Sequence, residues 1–234
     1  MLREMKKCLL LFTCRCGAVL LLPSCKKTLE ESPRSSISPE TYFTNPESYE
    51  SAVIGVYSVL PRNVTELNEM FSDIYGTPQP GEQVLPIYQN QPSANFYTSG
   101  TAWSKPYTII KNANFILEQL PAAPLSDGKK AELTAEARFL RGYAFFYLVQ
   151  MFGDVPLPLK AAENYQDVQL PRTPQADVYN QVLSDLEFAE ANLPDAAAQQ
   201  GRVYKLVATA MLAKVYLTMA GNPMNKTENY AKAR

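Results

Sequence analysis

A stretch rich in aromatic and amide side chains, residues 73–99, has the composition of a ligand-binding surface. Aromatic faces can cover the apolar C–H surface of a sugar ring, and amides can meet its hydroxyl groups. Such rings must be exposed, and an irregular loop exposes them better than a packed helix does. Neither helical nor strand periodicity persists through residues 62–100, so we predict a long functional loop there. Its candidate ligand-binding residues are Tyr75, Tyr88, Phe96 and Tyr97, with Asn90, Gln91 and Asn95 beside them. The alternative is that these rings only fix a long loop to the scaffold.

Acid–base chemistry has few candidates. The chain contains no histidine, which excludes histidine-based triads and histidine metal sites. Glycoside hydrolysis needs two carboxylates about 5–10 Å apart, and only Asp73 and Glu82 of the loop offer such a pair. The acidic residues of predicted helices have the ordinary interpretation of solvated faces or partners of arginine. These are Glu132, Glu136, Asp185, Glu187 and Glu190. We therefore predict no catalytic residue, no metal site and no cofactor.

All four cysteines lie within the first 25 residues. Residues 1–24 combine basic residues with an apolar run, as secretory signal peptides do. They end in Leu22-Pro23-Ser24-Cys25, which resembles a bacterial lipobox and predicts lipidation of Cys25. The alternative is an ordinary signal peptide with an incidental cysteine. Residues 25–44 are predicted to be a tether, and no later segment has the roughly 18 apolar residues of a membrane span.

The stretch 132–156 predicts a central, buried helix, because apolar residues recur on two of its faces. Arg138 and Arg141 are three residues apart and share a face of this helix. We predict that both are structural and anchor a neighbouring loop; the alternative is contact with a ligand. The break that follows predicts three further structural residues: Gly153, Asp154 and Pro156.

Other segments predict helices that pair in a repeated pattern. One is marked by Trp103, Tyr107 and Ile110, with Pro106 in the first turn or at a kink. Trp103 is predicted as core because it is in register with Tyr107 and Ile110; the alternative is that its ring binds ligand. Another follows Thr173-Pro174, with Thr173 as its cap. A shift of 73 residues superimposes several landmarks, including Leu120-Pro121 on Leu193-Pro194. The predicted fold is all-α, a tetratricopeptide-like helical-repeat scaffold with long irregular loops.

The run A-E-A-R-F-L-R-G-Y-A-F-F-Y-L-V-x-x-F-G-D-V-P-L, residues 135–157, resembles the signature of the SusD/RagB family. Residues 201–217 also resemble that family. The resemblance implies a nutrient-uptake lipoprotein, anchored in the outer membrane and facing outward. Such a protein binds an oligosaccharide or another nutrient for a SusC-like TonB-dependent transporter. A protein–protein scaffold and a helical glycoside hydrolase remain alternatives, whereas the net charge of -1 argues against nucleic acid.

The carboxyl end has the pattern of a helix that stops after barely two turns, from Thr227 to Arg234. A helix this short is marginal by itself. We therefore expect residues 225–234 to be poorly packed. We also expect residues 45–234 to be the amino-terminal helical domain of a longer protein, whose carboxyl-terminal half is missing.

Overall fold

The computed structural model describes residues 42–60, 97–162, 164–197 and 199–234, and only the backbone of residues 97–101. This part of the chain is helical. It contains one isolated antiparallel bridge, between Val155 and Thr173, and no longer strand. None of its helices is long and apolar enough to cross a membrane. The α-helices are α1 (Pro46–Tyr57), α2 (Tyr97–Gln119), α3 (Asp127–Phe152), α4 (Gln175–Asn192) and α5 (Lys205–Ala220).

Helix α3 is the centre of the fold, as its two apolar faces predict. It packs on α1, α2 and α4, and fourteen of its residues are buried. Ser126 caps its amino end by accepting the Lys129 N–H, so the helix begins at Asp127, five residues before the predicted stretch. It ends before Gly153, whose φ of 66° lies in the left-handed region that glycine adopts without steric cost.

Two successive helix pairs, α2–α3 and α4–α5, reproduce the predicted repeat. Helices α2 and α4 end at Gln119 and Asn192, which are 73 residues apart. The pairs differ in their surroundings: Arg141 of α3 is buried, whereas Lys214, its counterpart in α5, is exposed. The structure therefore has the predicted all-α architecture. Of the two equivalent basic residues, only Arg141 is buried in the interior.

Two boundaries near the predicted loop and the next helix differ from expectation. Helix α2 already begins at Tyr97 and includes Pro106 in its interior, so of the two predicted positions for Pro106 the first turn is excluded, and the kink stays a prediction. Thr173 is not the cap of α4, because its backbone pairs with Val155. Instead, a carboxylate oxygen of Asp154 accepts the Gln175 N–H at 2.8 Å.

The carboxyl end is better packed than expected. Residues Thr227–Tyr230 form a 3₁₀-helix against α5, and Asn229 is only 4% exposed. The Lys226 N–H bonds to the Met219 carbonyl at 3.0 Å, which ties this end to the last turn of α5. The predicted poor packing of residues 225–234 is therefore wrong for this buried position.

Candidate functional site

One face of α2 holds the connecting segment, which we define as residues 153–174. The Tyr107 hydroxyl donates to the Pro156 carbonyl at 2.8 Å. The Asn114 amide donates to the carbonyls of Pro158 and Lys160 at 2.9 and 3.1 Å. Tyr107 and Asn114 lie seven residues apart, which places them on one face of the helix two turns from each other. These bonds satisfy segment carbonyls that no strand or helix partner satisfies.

A buried arginine fixes that asparagine. Arg141 of α3 donates Nε and one terminal nitrogen to the two carboxylate oxygens of Asp185 of α4, at 2.8 and 2.7 Å. Its other terminal nitrogen donates to the Asn114 oxygen at 2.8 Å. Asp185 is fully buried, and Asn114 is 1% exposed. The bidentate pair therefore sets the orientation of the amide that binds the connecting segment.

An aromatic groove opens between α2 and the connecting segment. The rings of Trp103 and Tyr107 pack with centroids 4.9 Å apart, and Phe152 meets Trp103 edge-on at 5.0 Å. Trp103 is half-buried and joins the core only along one side, so the core prediction for it is correct in part. The groove encloses about 440 Å³. Its remaining lining includes Ser104, Thr108, Lys111, Pro158, Lys160, Asp167, Val168 and Leu170.

The polar groups of the groove are hydrogen-bond donors and acceptors. Burial raises the pKa of Tyr107, which keeps its hydroxyl protonated as a hydrogen-bond donor. Lys111 and Lys160 supply donors, and the Asp167 carboxylate, which accepts the Asn164 N–H, also borders the groove. The residues that the structure describes contain no group of three or more acidic, cysteine or histidine residues able to hold a metal ion.

A second buried arginine cluster lies at the junction of α1, α3 and the turn before α5. Arg202 donates to both carboxylate oxygens of Glu136, at 3.1 and 2.5 Å, and to Glu50 of α1. The Tyr57 hydroxyl donates to Glu136 at 2.6 Å and accepts the Val203 N–H. Burial and the Glu136 carboxylate raise the pKa of Tyr57, so this hydroxyl stays protonated. This cluster joins helices and contributes no residue to the lining of the groove.

Most of the sequence-predicted ligand residues lie where the structure gives no side chain. Tyr75, Tyr88 and Phe96 fall outside the described residues, as do the acidic pair of the loop and Cys25. Tyr97 is the first residue of α2, so it does not lie in the loop that was predicted to contain it. Its side chain is among those not described.

The predicted structural residues divide into two groups. Arg141 has three hydrogen bonds, and the Pro156 carbonyl and the Asp154 carboxylate each accept one. Arg138 has a different environment: its guanidinium carbon lies 4.2 Å from the centre of the Phe188 ring, and its buried Nε has no hydrogen-bond partner among the described residues. The loop-anchoring role predicted for both arginines thus has a geometric basis only at Arg141.

Sequence reasoning missed an exposed aromatic residue of the connecting segment. Tyr165 is 73% exposed and follows Asn164, which forms a reciprocal capping box with Asp167. The motif N-x-x-D in residues 164–167 was the available signal. It predicts a short ordered turn that presents the intervening ring to solvent.

Comparison with known proteins agrees with this architecture. Residues 27–217 match the SusD-like family described as starch-binding and associating with the outer membrane. The chain is 32% identical over 181 residues to the SusD-like protein P38 of Formosa agariphila, covering 74% of this chain and 35% of that protein. It is 29% identical over 220 residues to a SusD-like protein of Bacteroides ovatus, with coverages of 86% and 38%.

Solved structures give the same result. A SusD-like protein of Bacteroides fragilis superimposes with a TM-score of 0.75 at 22% identity, over 87% of this chain and 40% of that one. A laminarin-binding SusD-like protein superimposes with a TM-score of 0.68 at 26% identity, over 81% of this chain and 42% of that one. The chain thus spans about two fifths of the length of these proteins. The family match, the relatives and the shared fold together establish that this chain belongs to the SusD-like family.

Proposed function

We propose that this chain is the amino-terminal part of a surface lipoprotein that binds a glycan and delivers it to a SusC-like TonB-dependent transporter. The observation that carries the proposal is the aromatic groove. Trp103 and Tyr107 present ring surface beside hydroxyl, ammonium and carboxylate groups, which is the combination a sugar requires.

The relatives support a glycan as the ligand. One structural neighbour is described as laminarin-binding, and another was solved with a xylogluco-oligosaccharide, at a TM-score of 0.59 and 26% identity. Both are longer proteins, of which this chain spans 42% and 35%. Glycan binding by this chain is inferred from its own groove together with those ligands.

The connecting segment gives the groove a fixed wall. Because Tyr107 and Asn114 bind the carbonyls of alternate segment residues, from Pro156 to Lys160, the backbone opposite the rings is held before a ligand arrives. A prepared wall reduces the entropy lost on binding. The exposed ring of Tyr165 offers a further stacking surface on this same segment.

A glycan array on the purified protein, followed by calorimetry with a binding oligosaccharide, tests the proposal. Trp103→Ala should weaken binding by roughly tenfold to a hundredfold, since stacking on an aromatic ring contributes about 1–3 kcal/mol in other ring systems. Tyr230→Ala is the matched control, because Tyr230 is exposed and lies outside the groove lining. If the Trp103 variant and the parent bind the oligosaccharide with equal affinity, the groove is not the binding site.

The aromatic loop remains a second location for the same function. Tyr75, Tyr88 and Phe96 stay candidate ligand-binding residues, as does Tyr97 at the start of α2. Alanine at each of these positions, measured with the same oligosaccharide, distinguishes the loop from the groove. Loss of affinity in the loop variants alone would place the binding site in residues 73–99.

Membrane anchoring is a separate part of the proposal. Cys25 follows a Leu-x-Ser frame and would be the lipidated first residue of the mature protein, facing outward from the outer membrane. Multiple acyl chains are needed because one alone binds a membrane marginally. Cys25→Ala should release the protein from the membrane fraction. Continued labelling of that variant by palmitate would contradict the assignment.

A further inference from the structure

A second cavity, distinct in its chemistry from the aromatic groove, lies between α2, α3 and α4. It encloses about 600 Å³, and we call it the basic cavity. Its charged lining residues are Lys130, Arg138, Lys160, Glu118 and Arg141. Asn114 of α2 and Lys160 of the connecting segment line both the groove and the basic cavity, so the two spaces adjoin.

The basic cavity has an excess of positive charge. Arg141 is neutralised by its buried pair with Asp185. Glu118 is the one carboxylate in the lining, and it already accepts the Ala161 N–H at 2.8 Å. Lys130, Arg138 and Lys160 form no ion pair with the described residues. Three cationic side chains therefore face a single carboxylate.

Arg138 is the most informative of these cations. Its guanidinium is held against the Phe188 ring, and its Nε is buried without a hydrogen-bond partner in the described part of the chain. Stacking on an aromatic face keeps an arginine in place while leaving its terminal donors available in the ring plane. Arg138 is three residues from Arg141, yet it lacks the carboxylate that neutralises the latter.

Uncharged donors also line the cavity, together with apolar side chains such as Leu117 and Leu159. Thr134 of α3 and both Gln181 and Ser184 of α4 border the cavity. A planar anion that binds here would meet a guanidinium with its fixed fork of donors, as well as hydroxyl and amide groups. Carboxylates fit such forks in a bidentate manner.

From this arrangement we propose that the basic cavity binds a sugar carboxylate, so that the glycan of this protein is acidic and contains uronate residues. The inference rests on the proposed glycan function. The shared Lys160 and Asn114 make a sugar the favoured source of the carboxylate, because one chain can then occupy the aromatic groove and the basic cavity together.

Trigalacturonate and its fully methyl-esterified form test the proposal by calorimetry. The two trisaccharides share a skeleton and differ in charge. Trigalacturonate should bind at least about tenfold more tightly than the ester, because charge-assisted hydrogen bonds are stronger than neutral ones. Added NaCl should reduce this difference. Equal affinity for acid and ester would overturn the proposal.

Variants locate the carboxylate. Arg138→Gln and Lys130→Gln should each reduce trigalacturonate affinity by about tenfold and reduce affinity for the ester much less, because the uncharged ester forms no ion pair with either side chain. Two variants are needed because Arg138 also packs on Phe188, and Lys130 also donates to the Pro121 carbonyl. Lys105→Gln is the matched control, since Lys105 is an exposed residue of α2 outside both linings. Unchanged trigalacturonate affinity in both cavity variants would contradict the assignment.

Two further measurements separate this inference from the function on which it rests. If a neutral oligosaccharide binds and trigalacturonate does not, the acidic-glycan inference fails and the proposed function stands. If no saccharide of either kind binds, both fail. A glutamate-rich peptide that binds the cavity while trigalacturonate does not would assign the carboxylate to a protein partner and overturn the sugar assignment.

Discussion

Arg141 and Arg202 have nearly the same local chemistry but hold different regions of the molecule. They are 6% and 7% exposed, and each binds both oxygens of a buried carboxylate on another segment. The third bond of Arg141 goes to Asn114, which holds the wall of the aromatic groove. The third bond of Arg202 goes to Glu50 on α1.

This comparison teaches that a buried ion pair has a functional consequence only through what its remaining donors hold. Removing one partner of a buried pair is costly in either region, because the other partner is left charged and unpaired. Only the Arg141 cluster continues into the connecting segment. We therefore expect variants of both clusters to lose stability, and only those of the Arg141 cluster to lose ligand binding.

The largest effect is expected for Arg141→Ala. It leaves the fully buried Asp185 unpaired and should lower the free energy of unfolding by about 3–5 kcal/mol, measured by urea denaturation. Amide exchange should accelerate across residues 156–161, and glycan affinity should fall. Arg234→Ala is an exposed arginine control. An unchanged melting temperature with lost ligand binding would instead give Arg141 a role in ligand contact.

A smaller loss of stability, near 3 kcal/mol, is expected for Arg202→Ala. The loss is smaller because Tyr57 continues to donate to Glu136 after the arginine is removed. Exchange across residues 156–161 and glycan affinity should match those of the parent at temperatures where the variant is folded. If amide exchange across residues 156–161 accelerates equally in the two arginine variants, the two clusters do not differ in what they hold.

Asn114→Ala isolates the link between the Arg141 pair and the groove. It removes two bonds to segment carbonyls and one from Arg141, and should cost about 1–3 kcal/mol. For each kcal/mol of stability lost, the Asn114 variant should lose more glycan affinity than the Arg141 variant does. Asn192→Ala is a matched control, since within the described residues its side chain bonds only the Phe188 carbonyl of its own helix. Parent-like affinity in the Asn114 variant would show that the wall needs no such support.

The smallest effect is a dependence of stability on pH at the Arg202 cluster. Hydrogen bonding to Arg202 lowers the pKa of Glu50 below its ordinary value of 4.5. A depressed pKa contributes stability that is fully present above pH 4.5 and is lost as the pH falls through the lowered value. Glu50→Gln should therefore reduce acid sensitivity between those two points in thermal melts. An identical pH profile in the variant would exclude this contribution.

Local patterns in the sequence predicted the helices better than the contacts between them. The end of α3 at Gly153 and the repeat of 73 residues follow from nearby residue types, and both are present in the structure. The cap of α4 by Asp154 was missed because the pair is separated by 21 residues. Glu136 was assigned only generally, to solvent or arginine, since its partner Arg202 lies 66 residues away.

The site was predictable to a smaller extent. Aromatic composition predicted a binding site in residues 73–99, whereas the groove that the structure describes uses Trp103 and the connecting segment. Helical spacing correctly placed Trp103 beside Tyr107, but spacing alone does not indicate which side of a helix stays uncovered. The two arginines of α3 also share a face, and only the positions of Asp185 and Phe188 on α4 distinguish their environments.

Hydrogen exchange measured with and without a bound glycan tests the central claim most directly. Binding in the aromatic groove should increase protection in residues 103–111 and 156–170, which form its two walls. It should leave residues 46–57 and 201–204, around the Arg202 cluster, unchanged. Protection confined to residues 61–96, or spread equally over both arginine clusters, would contradict the assignment of the groove as the binding site.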